Sequence, residues 1–328
     1  MNPLEQALQQ RIEREGSIGL DDFMQACNDH YYASRDPFGV AGDFTTAPEI
    51  SQMFGETIGA ALTDAWIRAG RPDGAHYVEL GPGRGTLAHD ALRAMAAGGL
   101  LPAVDFVESS PRLRGKQAER VPAASFLDSI EALDPAGGPL LVVANEFFDA
   151  LPIRQMIGKE ERRVVLRAGQ LGFDRDGEII EQSPAREKVA LRLAELLKAR
   201  GGVALIFDYG HGQQEAVGDT LQAVRRHRFA DPLHAPGEQD LTSHVDFAAL
   251  AAAARETGTR IAGPVSQGSW LETLGIAARA MALAARNPER TEDIAGARRR
   301  LCDEAEMGRL FKVLALAAPG WPMVAGLA

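Results

Sequence analysis

The chain is 328 residues long, room for one large domain or two smaller ones at about 150 residues each. Hydrophobic residues make up 45% and charged residues 24%, the balance of a globular protein rather than of a disordered, collagenous or membrane chain. Thirty-five basic against 45 acidic residues leave a net charge of −10, which disfavours a nucleic-acid partner, and two cysteines without a CxxC pair, Cys27 and Cys302, support neither a disulfide framework nor a zinc cluster.

Residues 1–16 carry Glu5, Glu13 and Glu15 among apolar positions, the wrong chemistry for a signal or transit peptide. Pro3 to Glu15 reads as a helix ended at Gly16, and Leu20 to Asn28 as a short second one leading into an irregular stretch, Asp36 to Thr46. Thr46-Ala47-Pro48-Glu49 has the form of a capping box with proline in the first turn and predicts a helix from about Glu49 to Ala69. Residues 1–70 are therefore expected to form an N-terminal helical extension, with the core at 71–328.

From residue 76 the pattern changes to short apolar runs separated by helices: His76 to Leu80, Ala103 to Glu108, Ala123 to Leu127, Leu140 to Ala144 and Val203 to Asp208. Continuous apolar runs mark strands buried on both faces, so the fold class is α/β, a doubly wound and mostly parallel sheet of about seven strands. Between the fourth and fifth runs, Gly158, Gly169, Gly172 and Gly177 split short alternating stretches, which predicts a small antiparallel insert. A helix opened by Ser183-Pro184 and ended by Gly201 follows, so the inserted lobe is bounded at about 153–200. A long polar loop runs from Asp208 to about Thr242, Ser243-His244-Val245-Asp246 reads as another capping box, and Leu274 to Met307 is helical with a restart at Asn287-Pro288. Leu310 to Ala317 is the last predicted strand, and a substrate-side lobe is expected to draw on about 210–308. The tracts 247–254 and 276–285 are too short to span a bilayer, so the expectation is a cytoplasmic protein without membrane insertion.

Glu79-Leu80-Gly81-Pro82-Gly83-Arg84-Gly85 follows a predicted strand and precedes a helix, the context in which a glycine-rich loop bears on ligand binding. Gly81 and Gly83 let main chain approach a ligand, and the helix start favours negative charge. A dinucleotide fingerprint needs Gly or Ala where Thr86 stands; the spacing Glu-x-Gly-x-Gly-x-Gly is instead that of methyltransferases using S-adenosylmethionine, with Glu79 set for the cofactor's amino group. Glu108, 108 − 85 = 23 residues past Gly85, ends the second strand, where a carboxylate accepts both ribose hydroxyls. Asp128, just past the third strand, is placed either against the adenine or as a plain helix N-cap.

Six strings together resemble the MidA-like proteins, whose mitochondrial members are complex I assembly methyltransferases. They are Gly42 to Ile50, Glu79 to Gly85, Asn145 to Pro152, Arg226-His227-Arg228 with Asp231-Pro232, Asp240 to Phe247, and Met307 to Val313, so the resemblance covers nearly the whole chain. It implies a Rossmann-like, seven-stranded class I methyltransferase sheet with a second lobe, S-adenosylmethionine as cofactor, and methyl transfer to an arginine of a respiratory complex I type subunit. Asn145 to Pro152 begins where the fourth strand ends, beside the transferable methyl group in such a fold. A guanidinium is always charged and its lone pairs are delocalised, so carboxylates that hold it in a fork bias the charge onto its other nitrogens. Glu146 and Asp149, three apart, are the candidates, with Asn145 beside them; the alternative is that Asp149 caps a turn and Asn145 bonds main chain. The expected partner is a protein with an arginine-bearing segment, the alternatives being small-molecule O- or N-methylation and a non-catalytic assembly factor. Homo-oligomerisation is left open. His211 either reaches the site mouth or bonds a loop, Asp43 to Glu49 either folds over the cofactor or packs as a loop, and no metal is expected, since the capping box accounts for Ser243 and Asp246.

Overall fold

A computed structural model describes residues 2–34, 46–213, 216–225 and 228–327. Asp43 to Thr45, the first three residues of the Asp43 to Glu49 segment read as a lid or a packing loop, and Arg226-His227 lie outside the described residues. The central sheet is built from β1 (His76–Leu80), β2 (Ala103–Val107), β3 (Ala124–Leu127), β4 (Leu140–Asn145), β5 (Gly202–His211), β6 (Arg260–Ser266) and β7 (Phe311–Ala317). Their order is β6-β7-β5-β4-β1-β2-β3, with β7 antiparallel to both neighbours; Val245–Asp246 adds a short parallel pairing to the end of β5. This is the seven-strand α/β sheet the resemblance implies; the apolar runs and Leu310 to Ala317 locate every strand of it but β6.

Alternation along these strands feeds two cores. Tyr77, Val143, Leu205 and Phe207 pack with Phe54, Ile58 and Leu62 of helix Gln52–Arg68 and with Leu87 and Met95 of helix Thr86–Ala97. Val78, Val142 and Ile206 pack on the other face with Leu193 and Leu197 of helix Pro184–Arg200 and Leu250 of helix Phe247–Arg255. Each such burial is worth roughly 1.5–3 kcal/mol before entropy, which accounts for continuous apolar strands rather than alternating ones. A third core joins helices Pro3–Glu15 and Leu20–Ser34, through Ile12, Phe23 and Met24, to Ile153, Val164 and Leu241. Strand Ile18–Gly19 pairs antiparallel with Glu160–Arg167 in a small sheet that also holds Arg154–Ile157, Gln170–Phe173 and Ile180–Gln182. The N-terminal helices thereby reach the carboxyl ends of the central strands, where the order reverses between β1 and β4 and leaves a crevice.

Local expectations differ from the structure at five places, each for a physical reason. The second helix runs on to Ser34 because its buried stripe, Leu20, Phe23, Met24, Cys27 and Tyr31, continues past Asn28. Thr46 makes no capping bond: Ala47–Ile50 is a single turn, Ser51 is extended, and Ser51 Oγ accepts from Met53 N (3.2 Å) to open Gln52–Arg68. Glu49 instead accepts from the Thr86 hydroxyl. Asp246 rather than Ser243 caps Phe247–Arg255, accepting from Ala248 N (2.9 Å) and Ala249 N (3.0 Å), because Val245–Asp246 is held extended against β5. The predicted loop after Asp208 contains an antiparallel sheet of Arg228–Ala230, Gln222–Arg225 and Asp240–Thr242, strands too short and polar to show a period. β6 has no clean sequence signal since Gly263-Pro264 interrupts it and its register with β7 shifts between Ala262 and Val265.

Candidate active site

At this crevice lies a cavity of about 1130 Å³. That exceeds the roughly 300–1,000 Å³ of small-ligand sites and leaves room for two reactants. Gly81 (φ +63°) and Gly83 (φ +55°) carry the chain from β1 toward helix Thr86–Ala97, and both line the cavity. A Cβ on Gly81 would meet the Phe147 ring at 2.9 Å, so only glycine leaves main chain bare at that wall. Glu79, buried in β1, accepts from Tyr77 Oη (2.6 Å), and burial pushes its carboxyl up to about 8. Glu108, also buried, accepts from Ser110 N through Oε1 (2.8 Å) and from Gln117 Nε2 through Oε2 (3.1 Å); burial raises its pKa, against these bonds. The same Gln117 nitrogen donates to Gly83 O (2.8 Å), so one buried amide ties this carboxylate to the glycine loop. Asp128 lines the rim with its side chain 87% exposed and paired to Arg114 at 2.6 Å.

The other end of the cavity is a cluster of buried acids. β4 ends at Asn145, and Glu146 follows at φ +51°, a strained left-handed residue at a ligand-facing position. Glu146 Oε1 accepts from Ala47 N (3.1 Å) and Asn145 Nδ2 (3.2 Å); burial, then the neighbouring Asp149 charge, pushes its carboxyl up to about 8. Asn145 Oδ1 is buried with no hydrogen-bond partner among the described residues, although Asn145 itself lines the cavity. An acceptor without a donor here is costly in isolation and is suited to an N–H brought by a ligand. Burial raises Asp149, against a bond from Tyr209 and the positive charge of Arg186. Asp240, from the three-stranded sheet, accepts from Tyr32 Oη at 2.8 Å. Asp149, Asp240, Tyr32 and Tyr209 all line the same end.

Two residues hold this end together from behind. Asp208 in β5, with no exposed surface, accepts from Phe148 N (3.0 Å) and Asp149 N (3.1 Å) through one oxygen; burial drives its pKa well up. Arg186, buried in helix Pro184–Arg200, donates to Phe148 O (2.6 Å), Asp149 O (2.9 Å), His244 O (2.7 Å) and Ser243 Oγ (2.7 Å). A single guanidinium thus pins two chain segments almost a hundred residues apart against one another.

The structure gathers Glu79, Gly81, Gly83, Glu108 and Asp128, from the ends of β1, β2 and β3, and Asn145, Glu146 and Asp149, from the end of β4, on the lining of one cavity. Gly85 is set back as the N-cap of helix Thr86–Ala97 (φ +74°), a helix-start position rather than a cavity wall. His211 bonds the Gln213 carbonyl at 2.7 Å, the loop alternative. Sequence reasoning does not find Gln117, Arg186, Asp208, Tyr32 or Asp240 as members of the site. A buried arginine or glutamine carries no motif, and Tyr32 and Asp240 meet only because the N-terminal helices fold across the crevice. The cofactor-side groups fit S-adenosylmethionine by their chemistry: a buried carboxyl for an ammonium, a tethered carboxylate with lone pairs left for two ribose hydroxyls, and bare glycine main chain between them.

Comparison with known proteins agrees. The family described as "Putative S-adenosyl-L-methionine-dependent methyltransferase" matches residues 57–171 and 164–265. A mitochondrial protein of Drosophila melanogaster named protein arginine methyltransferase NDUFAF7 homolog is 34% identical, the match covering 95% of this chain and 84% of that protein. The Xenopus laevis protein arginine methyltransferase NDUFAF7 is 31% identical over 92% of this chain and 81% of its own length. Among solved structures, a "likely methyl transferase" of Burkholderia thailandensis bound to S-adenosyl-homocysteine superposes with a TM-score of 0.87 at 28% identity, covering 99% of this chain and 94% of that one.

Proposed function

We propose a protein arginine as the acceptor of this enzyme, since the chain belongs to the MidA-like family of S-adenosyl-L-methionine-dependent methyltransferases. The observation that carries the proposal is the acidic end of the cavity, whose lining includes Glu146, Asp149 and Asp240, close enough for the charges of the last two to raise the pKa of the first, and Asn145, whose Oδ1 has no partner among the described residues. A guanidinium brings what such a pocket lacks: positive charge and several N–H donors in a plane. The names of the fruit-fly and frog relatives, both protein arginine methyltransferases, support the same acceptor.

Bound at the other end, the cofactor supplies an electrophilic sulfonium methyl. In the proposed arrangement Glu108 accepts the ribose hydroxyls, Glu79 meets the amino group, and Gly81 and Gly83 present main chain. Glu146 and Asp149 draw the guanidinium charge to two of its nitrogens, Asn145 Oδ1 accepts an N–H, and the remaining nitrogen is freed to attack. As the nitrogen–methyl bond forms, the sulfur keeps the electrons of the bond it loses and the nitrogen gives up a proton. Burial holds the Glu146 carboxyl at about 8; the positive charge of a bound guanidinium lowers it, so that Glu146 is ionised beside the acceptor and takes that proton. Asn145, Asp149 and Asp240 are buried, so an acceptor side chain seated among them displaces the water that would compete with it. The finer proposal, an arginine of a respiratory complex I type subunit, rests on the family resemblance, and the cytoplasm as the place of the reaction is the separate expectation drawn from composition.

The test is transfer of a labelled methyl group from S-adenosylmethionine to proteins of a cell extract, followed by hydrolysis to free amino acids. Label in methylarginine, lost with Glu146→Gln while cofactor binding persists, is the expected result. Label recovered in a small molecule or in another amino acid overturns the arginine acceptor.

A further inference from the structure

Beyond the acidic residues, two large apolar side chains stand exposed on the cavity lining, one of them beside the paired Arg225 and Arg228. Phe229, in strand Arg228–Ala230, has 81% of its surface exposed, and Leu310, just before β7, has 49% exposed. Val224 stands opposite Phe229 in the antiparallel register and also lines the cavity, so the two extend one apolar surface toward the acids. Large apolar side chains held this exposed on the lining of a functional cavity mark a contact surface rather than packing.

The backbone around Phe229 is equally uneven. In the three-stranded sheet, the outer side of Asp240–Thr242 is closed by Asn28, whose amide donates to Leu241 O (2.8 Å) and accepts from Leu241 N (3.2 Å). The outer side of Arg228–Ala230 has no main-chain partner among the described residues. An unpaired strand beside a binding cavity is the geometry to which extended peptides add.

Resting on the arginine reading above, we infer that the three-stranded sheet of Gln222–Arg225, Arg228–Ala230 and Asp240–Thr242 selects the acceptor. An extended protein segment runs beside Arg228–Ala230, Phe229 and Leu310 grip an apolar side chain neighbouring the target arginine, and the arginine reaches past them to Glu146, Asp149 and Asp240. Charge complementarity fixes the occupant: a cavity lined by exposed apolar side chains and by buried acids suits a segment that offers an apolar residue and a cation in sequence.

The test is fluorescence-polarisation binding of nine-residue labelled peptides with a central arginine to the full chain with S-adenosylhomocysteine present. One peptide has leucines flanking the arginine, one serines, and a third has leucines around a central citrulline. The expected result is that the leucine peptide binds about tenfold or more tightly than the serine peptide, and that Phe229→Ser brings this ratio close to one. Leu101→Ser, which removes an equally exposed apolar side chain outside the cavity, should leave the ratio as it is. A circular-dichroism melt establishes that each variant is folded. Equal binding of the two arginine peptides, a preference that survives Phe229→Ser, or no measurable binding of either overturns the inference. If the leucine preference and its dependence on Phe229 persist with citrulline bound as tightly as arginine, the apolar grip stands and the arginine reading fails.

Discussion

The two ends of the cavity are built in opposite ways. The cofactor end comes from consecutive βα units: the ends of β1 and β2 supply Glu79, the glycine loop and Glu108 within 108 − 79 = 29 residues, and one glutamine, Gln117, ties loop to carboxylate. The acceptor end is gathered from helix Leu20–Ser34, the turn after β4, the tip of β5 and the strand Asp240–Thr242, and it is held by buried charges rather than by regular pairing. A local end tolerates change in one residue because its backbone is already fixed by the sheet. A gathered end depends on each buried charge keeping its partner, and strain such as the left-handed Glu146 persists only while they do.

The difference is broken most severely at Arg186. Replacing it with methionine keeps the volume but leaves five acceptor atoms, on Phe148, Asp149, His244 and Ser243, without their donor and Asp208 without the neighbouring positive charge. Removing one member of a buried charge set typically costs about 3–5 kcal/mol, so urea denaturation of Arg186→Met should show a loss of that order. A loss under about 1 kcal/mol would mean that the turn after β4 holds itself. Next in size, Glu146→Gln should lower kcat about 10²- to 10³-fold, the usual effect of removing one preorganised electrostatic group, with the calorimetric affinity for S-adenosylhomocysteine unchanged. A variant that turns over normally would move the proton-accepting role away from Glu146.

This contrast also governs what the sequence discloses. Glycines at fixed spacing between a strand and a helix, and a carboxylate at the next strand end, are local patterns, so the cofactor end is legible in Glu79 to Gly85 and Glu108. Gly85 belongs to the same pattern yet serves the helix start, because spacing does not distinguish a glycine that faces a ligand from one that turns the chain. Asn145, Glu146 and Asp149 are legible as a string, while what surrounds them is not. Tyr32 meets Asp240 across 240 − 32 = 208 residues, and Arg186 looks in sequence like any arginine in the first turn of a helix. Short strands such as Arg228–Ala230 and a strand broken by Gly263-Pro264 escape for a related reason: their pairing comes from tertiary context, with too few residues to build a period.

On the cofactor end the same kind of substitution should do less. Glu108→Ala removes one carboxylate from a loop whose backbone stays in place, and affinity for S-adenosylmethionine should fall roughly ten- to a hundredfold by calorimetry, without loss of fold. A larger effect accompanied by a lower melting temperature would make this end as interdependent as the acceptor end.

The smallest expected effect concerns Glu79, and its sign distinguishes a ligand-binding carboxyl from a structural one. Its carboxyl stands at about 8 in the folded chain because of burial, against roughly 4.3 when unfolded. Between those values the folded state binds the extra proton, so this group's contribution to stability is full below the unfolded value and is lost as pH rises toward 8. An ammonium brought by the cofactor reverses the preference, since it favours the ionised carboxylate, and binding must then expel the proton wherever Glu79 still holds it. Affinity for S-adenosylmethionine should accordingly rise about fivefold between pH 7 and pH 8, as the ionised fraction grows from about a tenth to a half, and then level off. The slope should vanish in Glu79→Gln, and also for 5′-methylthioadenosine, which has the nucleoside but no amino group. A slope that persists for methylthioadenosine would assign the titration to another group, and a flat profile for S-adenosylmethionine would mean that Glu79 keeps its proton against Tyr77 and serves the fold of β1 alone.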